Sequence, residues 1–113
     1  MAIDEGTIEL MRSDVAHLSG IAEKRMFGGL AYMMNGNMLC GVHGASSGGG
    51  AMYRVGKDNH AQALTMAGVG PMKFTGKPMA TMVSLDAEGL GDDGVRAGLL
   101  ALAVEFVGAL PAK

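Results

Sequence analysis

Residues 24–43 read KRMFGGLAYMMNGNMLCGVH, and how this stretch divides decides the fold. Two apolar-rich runs, Lys24 to Asn35 and Asn37 to His43, meet at Asn35-Gly36. Asn-Gly is the strongest short hairpin signal, because a type I′ turn needs positive φ at both central residues. In the second run Met38, Cys40 and Val42 alternate with Leu39, Gly41 and His43, so one face is expected to be buried. Gly28-Gly29 lies inside the first run. Glycines within a strand weaken it and mark a bulge or the close approach of another backbone. A bulge is therefore expected at Met26-Phe27-Gly28-Gly29, with Phe27 packed under the first or last helix.

Upstream, residues 4–18 read as an amphipathic helix in which Ile8, Met11, Val15 and Leu18 recur at spacings of three and four. Asp4 or Thr7 suits its first turn, and Ser19-Gly20 stops it. Downstream, Gly44 to Gly50 is a flexible connector and Ala51 to Val55 a third strand. Asp58 to Ala67 is a short helix capped by Asp58, with Ala61, Leu64 and Ala67 turned inward, and Gly68-Val69-Gly70-Pro71 ends it. Two short strands follow, near 72–75 and 79–85, around the turn Thr75-Gly76-Lys77-Pro78. Asp92 or its neighbour opens a last helix that presents Val95, Leu99, Leu102, Phe106 and Leu110 at helical spacing, and Pro111 ends it.

The order is helix, three strands, helix, two strands, helix. Hairpin-length connections force antiparallel pairing, and a single strand-helix-strand crossover excludes a repeated βαβ fold. The expectation is an α+β, two-layer domain over residues 1–113, with helices on one face of a five-stranded, mainly antiparallel sheet.

Composition agrees. A chain of 113 residues fits one domain and buries ~65% of its unfolded surface. With 49% hydrophobic and 18% charged residues, neither a disordered nor a fibrous chain is expected. No apolar run approaches the ~20 residues that span a bilayer. The acidic N-terminus lacks the basic and apolar regions of a signal peptide. The one cysteine, Cys40, has no intrachain disulfide partner, which points to a reducing cytoplasm, and the lack of a spanning run leads to the expectation of no membrane.

Charge is segregated. Asp4, Glu5, Glu9, Asp14 and Glu23 stand against Arg12 in residues 1–23, a net of −4. Lys24, Arg25, Arg54, Lys57, Lys73 and Lys77 stand against Asp58 in residues 24–77, a net of +5. Asp86, Glu88, Asp92, Asp93 and Glu105 stand against Arg96 and Lys113 in residues 86–113, a net of −3. A domain-wide basic footprint for nucleic acid is absent, which leaves a local basic face.

Constellations for catalysis fall short. Gly50 to Lys57 places five residues where a phosphate loop has four, with Asp58 where Ser or Thr would hold magnesium, and Gly70 to Lys77 repeats the mismatch before Pro78. Cys40 and His43 point to opposite faces of one strand, so they make no metal pair; Cys40 reads as core and His43 as a solvent-facing strand end. Ser46 and Ser47 sit in a glycine loop, a poor platform for a nucleophile. No catalytic, cofactor or metal residue is assigned. Eleven methionines, among them Met26, Met33, Met34, Met38, Met52, Met79 and Met82 on expected strands, fill a core that has no Trp. Met33 and Met34 are adjacent on one strand, so one of them faces away from the helices and is open to a partner.

The string Arg25 to Val42, with Tyr53-Arg54-Val55-Gly56, the turn Pro71 to Met79 and the final helix, resembles the N-terminal domain of the TfoX/Sxy family of bacterial competence regulators. The resemblance covers nearly the whole chain. It implies an α-β3-α-β2-α domain similar in shape to type III secretion chaperones, no catalytic residues, and a link to transcriptional activation of DNA-uptake genes through protein partners. The chain reads as a stand-alone form that ends at Lys113 without the second, helical domain. The functional expectation is a cytoplasmic, non-catalytic protein-binding module, with Arg25, Met26, Phe27, Gly28 and Gly29 as the motif and partner surface. The alternative is a nucleic-acid-associated regulator that uses Arg25, Arg54, Lys57, Lys73 and Lys77. A homodimer through the uncovered sheet face is also expected.

Overall fold

A computed structural model describes the backbone of residues 5–26, 29–43, 50–74 and 77–112, and their side chains except at positions 26, 72–74 and 77–79. At the corner that decides the sheet, Asn35 has φ 52° and Gly36 φ 84°, and Met34 pairs with Asn37. This is the two-residue type I′ turn, and it joins β2 (Gly29–Met34) to β3 (Asn37–Val42).

The run from Lys24 to Asn35 is two strands, not one. β1 (Ile21–Met26) and β2 pair antiparallel with Met26 opposite Gly29, so Gly29 opens a strand just after a chain reversal. Gly29 thus begins a strand instead of lying inside one, and the bulge expected at Met26-Phe27-Gly28-Gly29 centres on residues outside the described ones. Phe27 and Gly28 lie outside the described residues, and so do Asp4 and the connector at 44–49. The irregularity lies further on: Tyr32 pairs with Cys40 but Met33 with Met38, which leaves Leu39 as the extra residue. Leu39 and Cys40 are therefore both fully buried, and the strict alternation expected of β3 breaks there.

The sheet has six strands in the order β1-β2-β3-β4-β6-β5, which corrects the expected five. β4 (Ala51–Arg54) leads into α2 (His60–Leu64), which carries the chain to the far edge strand β5 (Val69–Phe74). β6 (Lys77–Leu85) then returns between β4 and β5, antiparallel to both. Gly68-Val69-Gly70-Pro71 does not merely end the helix: β5 already runs through Pro71, which an edge strand tolerates because its missing N–H need not pair inward. The other edge, β1, exposes Glu23, Lys24 and Arg25, charges that discourage a further strand from adding.

Helix α1 (Glu5–Val15) and helix α3 (Asp93–Val107) join α2 on one side of the sheet. Ile8, Met11 and Val15 of α1, Ala63 of α2, and Leu99, Leu100, Ala103 and Val107 of α3 form one core with Tyr32, Cys40, Val42, Tyr53, Val83 and Leu85. The Tyr32 hydroxyl donates to the Ile8 carbonyl at 3.0 Å, and the Tyr53 hydroxyl to Met11 Sδ at 3.3 Å. Asp92 caps α3 by accepting from the Val95 N–H at 3.1 Å, as expected. Two helix phases differ from expectation. Asn59, not Asp58, stands at the start of α2, and Ala63 points inward while Ala61 and Ala67 are exposed. In α3 the buried stripe keeps Leu99 but otherwise runs through Arg96, Leu100, Ala103 and Val107, with Val95, Leu102 and Phe106 at its margins.

Candidate functional site

An arginine lies on the buried stripe of α3. Arg96 is 6% exposed. Its Nε donates to Asp14 Oδ2 at 2.9 Å and its Nη2 to Asp14 Oδ1 at 3.4 Å, a fork that ties α3 to α1. Nη1 donates to the Leu90 carbonyl at 2.6 Å and pairs with Asp93 Oδ1 at 2.8 Å. The Asp14 hydrogen bond, aided by the Asp93 charge, holds the guanidinium pKa above its ordinary value. Sequence reasoning missed this residue by counting it only as a charge. The available signal was its place in register with Leu99, Leu100, Ala103 and Val107.

Beside this fork the two helices bound a groove of about 530 Å³. Leu18, Leu100 and Val104 contribute its apolar lining. Asp14 and His17 stand on the α1 side, and Ala97, Ala101 and Glu105 on the α3 side. Ala97, Ala101, His17 and Glu105 are exposed, so α3 carries apolar surface on its outer side as well as toward the core. Asn59 Nδ2 fixes the far end by donating to Glu105 Oε1 at 3.0 Å and to the Val55 carbonyl at 3.1 Å.

The helical layer is acidic. Glu5, Glu9 and Asp14 of α1 with Asp92, Asp93 and Glu105 of α3 and its cap outnumber Arg12 and Arg96, and neither helix carries a lysine. Both arginines are engaged. Arg12 pairs with Glu9, and its Nε and Nη2 donate to Glu23 at 2.6 and 2.9 Å. The Arg12 hydrogen bond holds the Glu23 carboxyl below the usual carboxylate range.

The opposite face of the sheet carries methionines. Met33 and Met38 pair across β2 and β3 and are half-buried, while Met52 and Met82 are buried. Met34, the neighbour of Met33, packs against the core instead, so the two methionines do point opposite ways. A Cβ at Gly41 would come within 2.6 Å of the Leu30 carbonyl oxygen and 2.7 Å of Met52 Cε, so only glycine fits there. His43 is not a solvent-facing end: it is half-buried, and its Nε2 lies 3.3 Å from Ser84 Oγ. Burial lowers its pKa and favours the neutral ring. Cys40 lies on the core side, where burial pushes its thiol up to about 12.

The residues of the expected basic face divide. Arg54 sets its guanidinium carbon 5.5 Å from the Phe106 ring centroid, and Lys57 is exposed just beyond. The Val55 and Gly56 amides both donate to the Thr81 carbonyl at 3.0 Å, which ties this end of β4 to the first half of β6. Lys73 opposite Pro78, and Lys77 opposite Phe74, occupy that same end of the sheet; their side chains lie outside the described ones. Arg25 does not join them. It stands opposite Leu30, in a row that continues through Val42 and Ala51 to Leu85, at the other end of β4 and across the sheet. Of the motif at 25–29, Arg25 is exposed on edge strand β1, Met26 ends that strand and Gly29 is buried.

Among the described residues no cluster of three or more His, Cys, Asp or Glu could hold a metal ion, and no helix is long and apolar enough to cross a membrane. A family model described as the TfoX N-terminal domain matches residues 13–107, nearly the whole chain. No curated protein and no solved structure matches.

Proposed function

The chain belongs to the TfoX N-terminal domain family, and from that premise we propose that it is a non-catalytic, cytoplasmic protein-binding module with a role in transcriptional regulation. The observation that carries this reading is the groove between α1 and α3, where Ala97, Ala101 and Val104 turn apolar surface outward beside Leu18. Apolar surface of this kind, rimmed by polar groups, favours a protein occupant. The buried, un-ionised thiol of Cys40 supports a structural role for that residue rather than a reactive one.

Photo-cross-linking in living cells tests the proposal. A benzophenone side chain at position 101 is expected to trap a discrete protein adduct that the same probe at position 22, on the exposed edge strand, does not trap. No protein adduct at position 101 refutes the groove as the binding surface.

A second reading, nucleic-acid association, draws on Arg54, Lys57, Lys73 and Lys77 at one end of the sheet. It requires duplex DNA to bind with an affinity that falls steeply with salt, because phosphate contacts release counterions. The absence of a gel shift at ~50 mM salt removes it. The homodimer belongs to the proposal too, through the helix-free face where Met33 and Met38 are half-buried; a monomer mass by light scattering refutes it.

A further inference from the structure

We infer that the groove between α1 and α3 receives a cationic amphipathic helix of a partner protein. The inference rests on the protein-binding reading and adds the chemistry of the occupant.

Shape is the first argument. One wall is helical: α3 contributes Ala97 and Ala101, four residues apart and so on one side of the helix, and the other wall is Asp14 near the end of α1 with His17 and Leu18 of the turn that follows it. Small side chains at that spacing let the ridge of an added helix settle against α3. From Ala97 to Glu105 the wall is about 12 Å long at 1.5 Å per residue, which matches two turns of an occupant with apolar anchors at i, i+3 or i+4, and i+7. Leu18, Leu100 and Val104 give those anchors an apolar seat.

Charge chooses among helices. At the groove itself Asp14 and Glu105 are the acidic lining residues, and Asp93 precedes Ala97 by one helical turn; the arginine beside them, Arg96, is engaged with Asp14 and Asp93, and no lysine lies on either helix. The Asp93 side chain is 89% exposed despite its pairing, and Glu105 stands exposed at the groove itself. Lysines or arginines flanking an apolar stripe would meet this negative rim while their stems cover the apolar margin. A second copy docking face to face would set the same acids against one another, which disfavours self-association here.

The test uses the full chain and a displayed library of helical peptides of about 16 residues, four turns long. Each carries a fixed leucine stripe, and the flanking positions are drawn equally from Lys, Glu and Gln. Selection is expected to enrich Lys at the flanks. The enriched peptides are expected to lose about tenfold in affinity for the Asp93→Lys, Glu105→Lys double variant at low salt, a difference that shrinks as salt screens the rim. Ala101→Arg, at an exposed position with good helix propensity, is expected to abolish binding while the circular dichroism stays unchanged. Should that variant unfold, the Asp93→Asn, Glu105→Gln pair carries the test: it removes both charges, keeps an acceptor for Arg96 and for Asn59, and is expected to lose part of the affinity at low salt.

Enrichment of acidic or neutral flanks, no enrichment, or binding indifferent to both variants overturns the inference. So does light scattering that shows a wild-type dimer converted to monomer by Ala101→Arg, which assigns the groove to a second copy. If cellular cross-linking at position 101 still traps a protein whose contacting segment is acidic or neutral, the cationic helix fails while the protein-binding reading stands.

Discussion

Replacing Arg96 by Met keeps the apolar stem of a 6% exposed side chain and removes every donor. Three partners lose a hydrogen bond. The Asp93 side chain, 89% exposed, rehydrates at little cost. The Leu90 carbonyl and the Asp14 carboxylate, whose side chain is only 23% exposed, do not rehydrate freely. Each orphaned group costs about 1–3 kcal/mol, and breaking a buried pair by removing one partner costs about 3–5 kcal/mol. Relief of the guanidinium desolvation offsets part of this, so Arg96→Met is expected to lose about 3 kcal/mol. Asp14→Asn keeps one acceptor for Arg96 and is expected to lose about 1 kcal/mol. The double variant should lose less than the sum, with a coupling of about 1–2 kcal/mol. Urea unfolding followed by far-ultraviolet circular dichroism reads this directly. With a slope near 1.5 kcal/mol per molar, the Arg96→Met midpoint falls by about 2 M. A loss below about 1 kcal/mol, or additive single variants, refutes the argument that this fork holds α1 to α3.

Other tests address the sheet and the core. Gly36→Ala places a Cβ at φ 84° in the hairpin turn and is expected to cost about 1–2 kcal/mol, read as a lower urea midpoint. Gly41→Ala pushes a Cβ against the Leu30 carbonyl oxygen and Met52 Cε; the added Met52→Ala change frees only the second contact, so stability is not restored. Burial raises the Cys40 thiol to about 12, and its ordinary unfolded value is near 8.5. A raised folded pKa means that this stabilisation is complete below about pH 8.5 and is lost as pH climbs toward 12, by up to about 1.4 kcal/mol per pH unit; Cys40→Ala should flatten that slope. His43 acts at the other end: burial lowers its pKa, so its contribution is present above about pH 6.5 and is lost as pH falls, and His43→Gln removes it.

Local chemistry written in the sequence proved decisive where a backbone angle or a cap was at stake. Asn35-Gly36 specifies its turn because few other residue pairs accept positive φ twice in succession, and Asp92 caps α3 because its carboxylate reaches the Val95 N–H. The burial of Cys40, the opposite facing of Met33 and Met34, and the one-sided helical layer follow in the same way from strand alternation and element order. Tertiary structure decided everything that depends on which neighbour arrives. Nothing local divides the run from Lys24 to Asn35 into two strands until β1 finds β2, and the register shift that buries both Leu39 and Cys40 has no local marker. α3 is apolar nearly all round, so its periodicity is too weak to say which side meets the sheet. Packing chose the stripe through Arg96, Leu100, Ala103 and Val107, and thereby left Ala97 and Ala101 facing out. One wall of the groove includes Asp14, which meets Arg96 across 82 positions of chain, a contact between long-range partners that no local pattern of residues encodes.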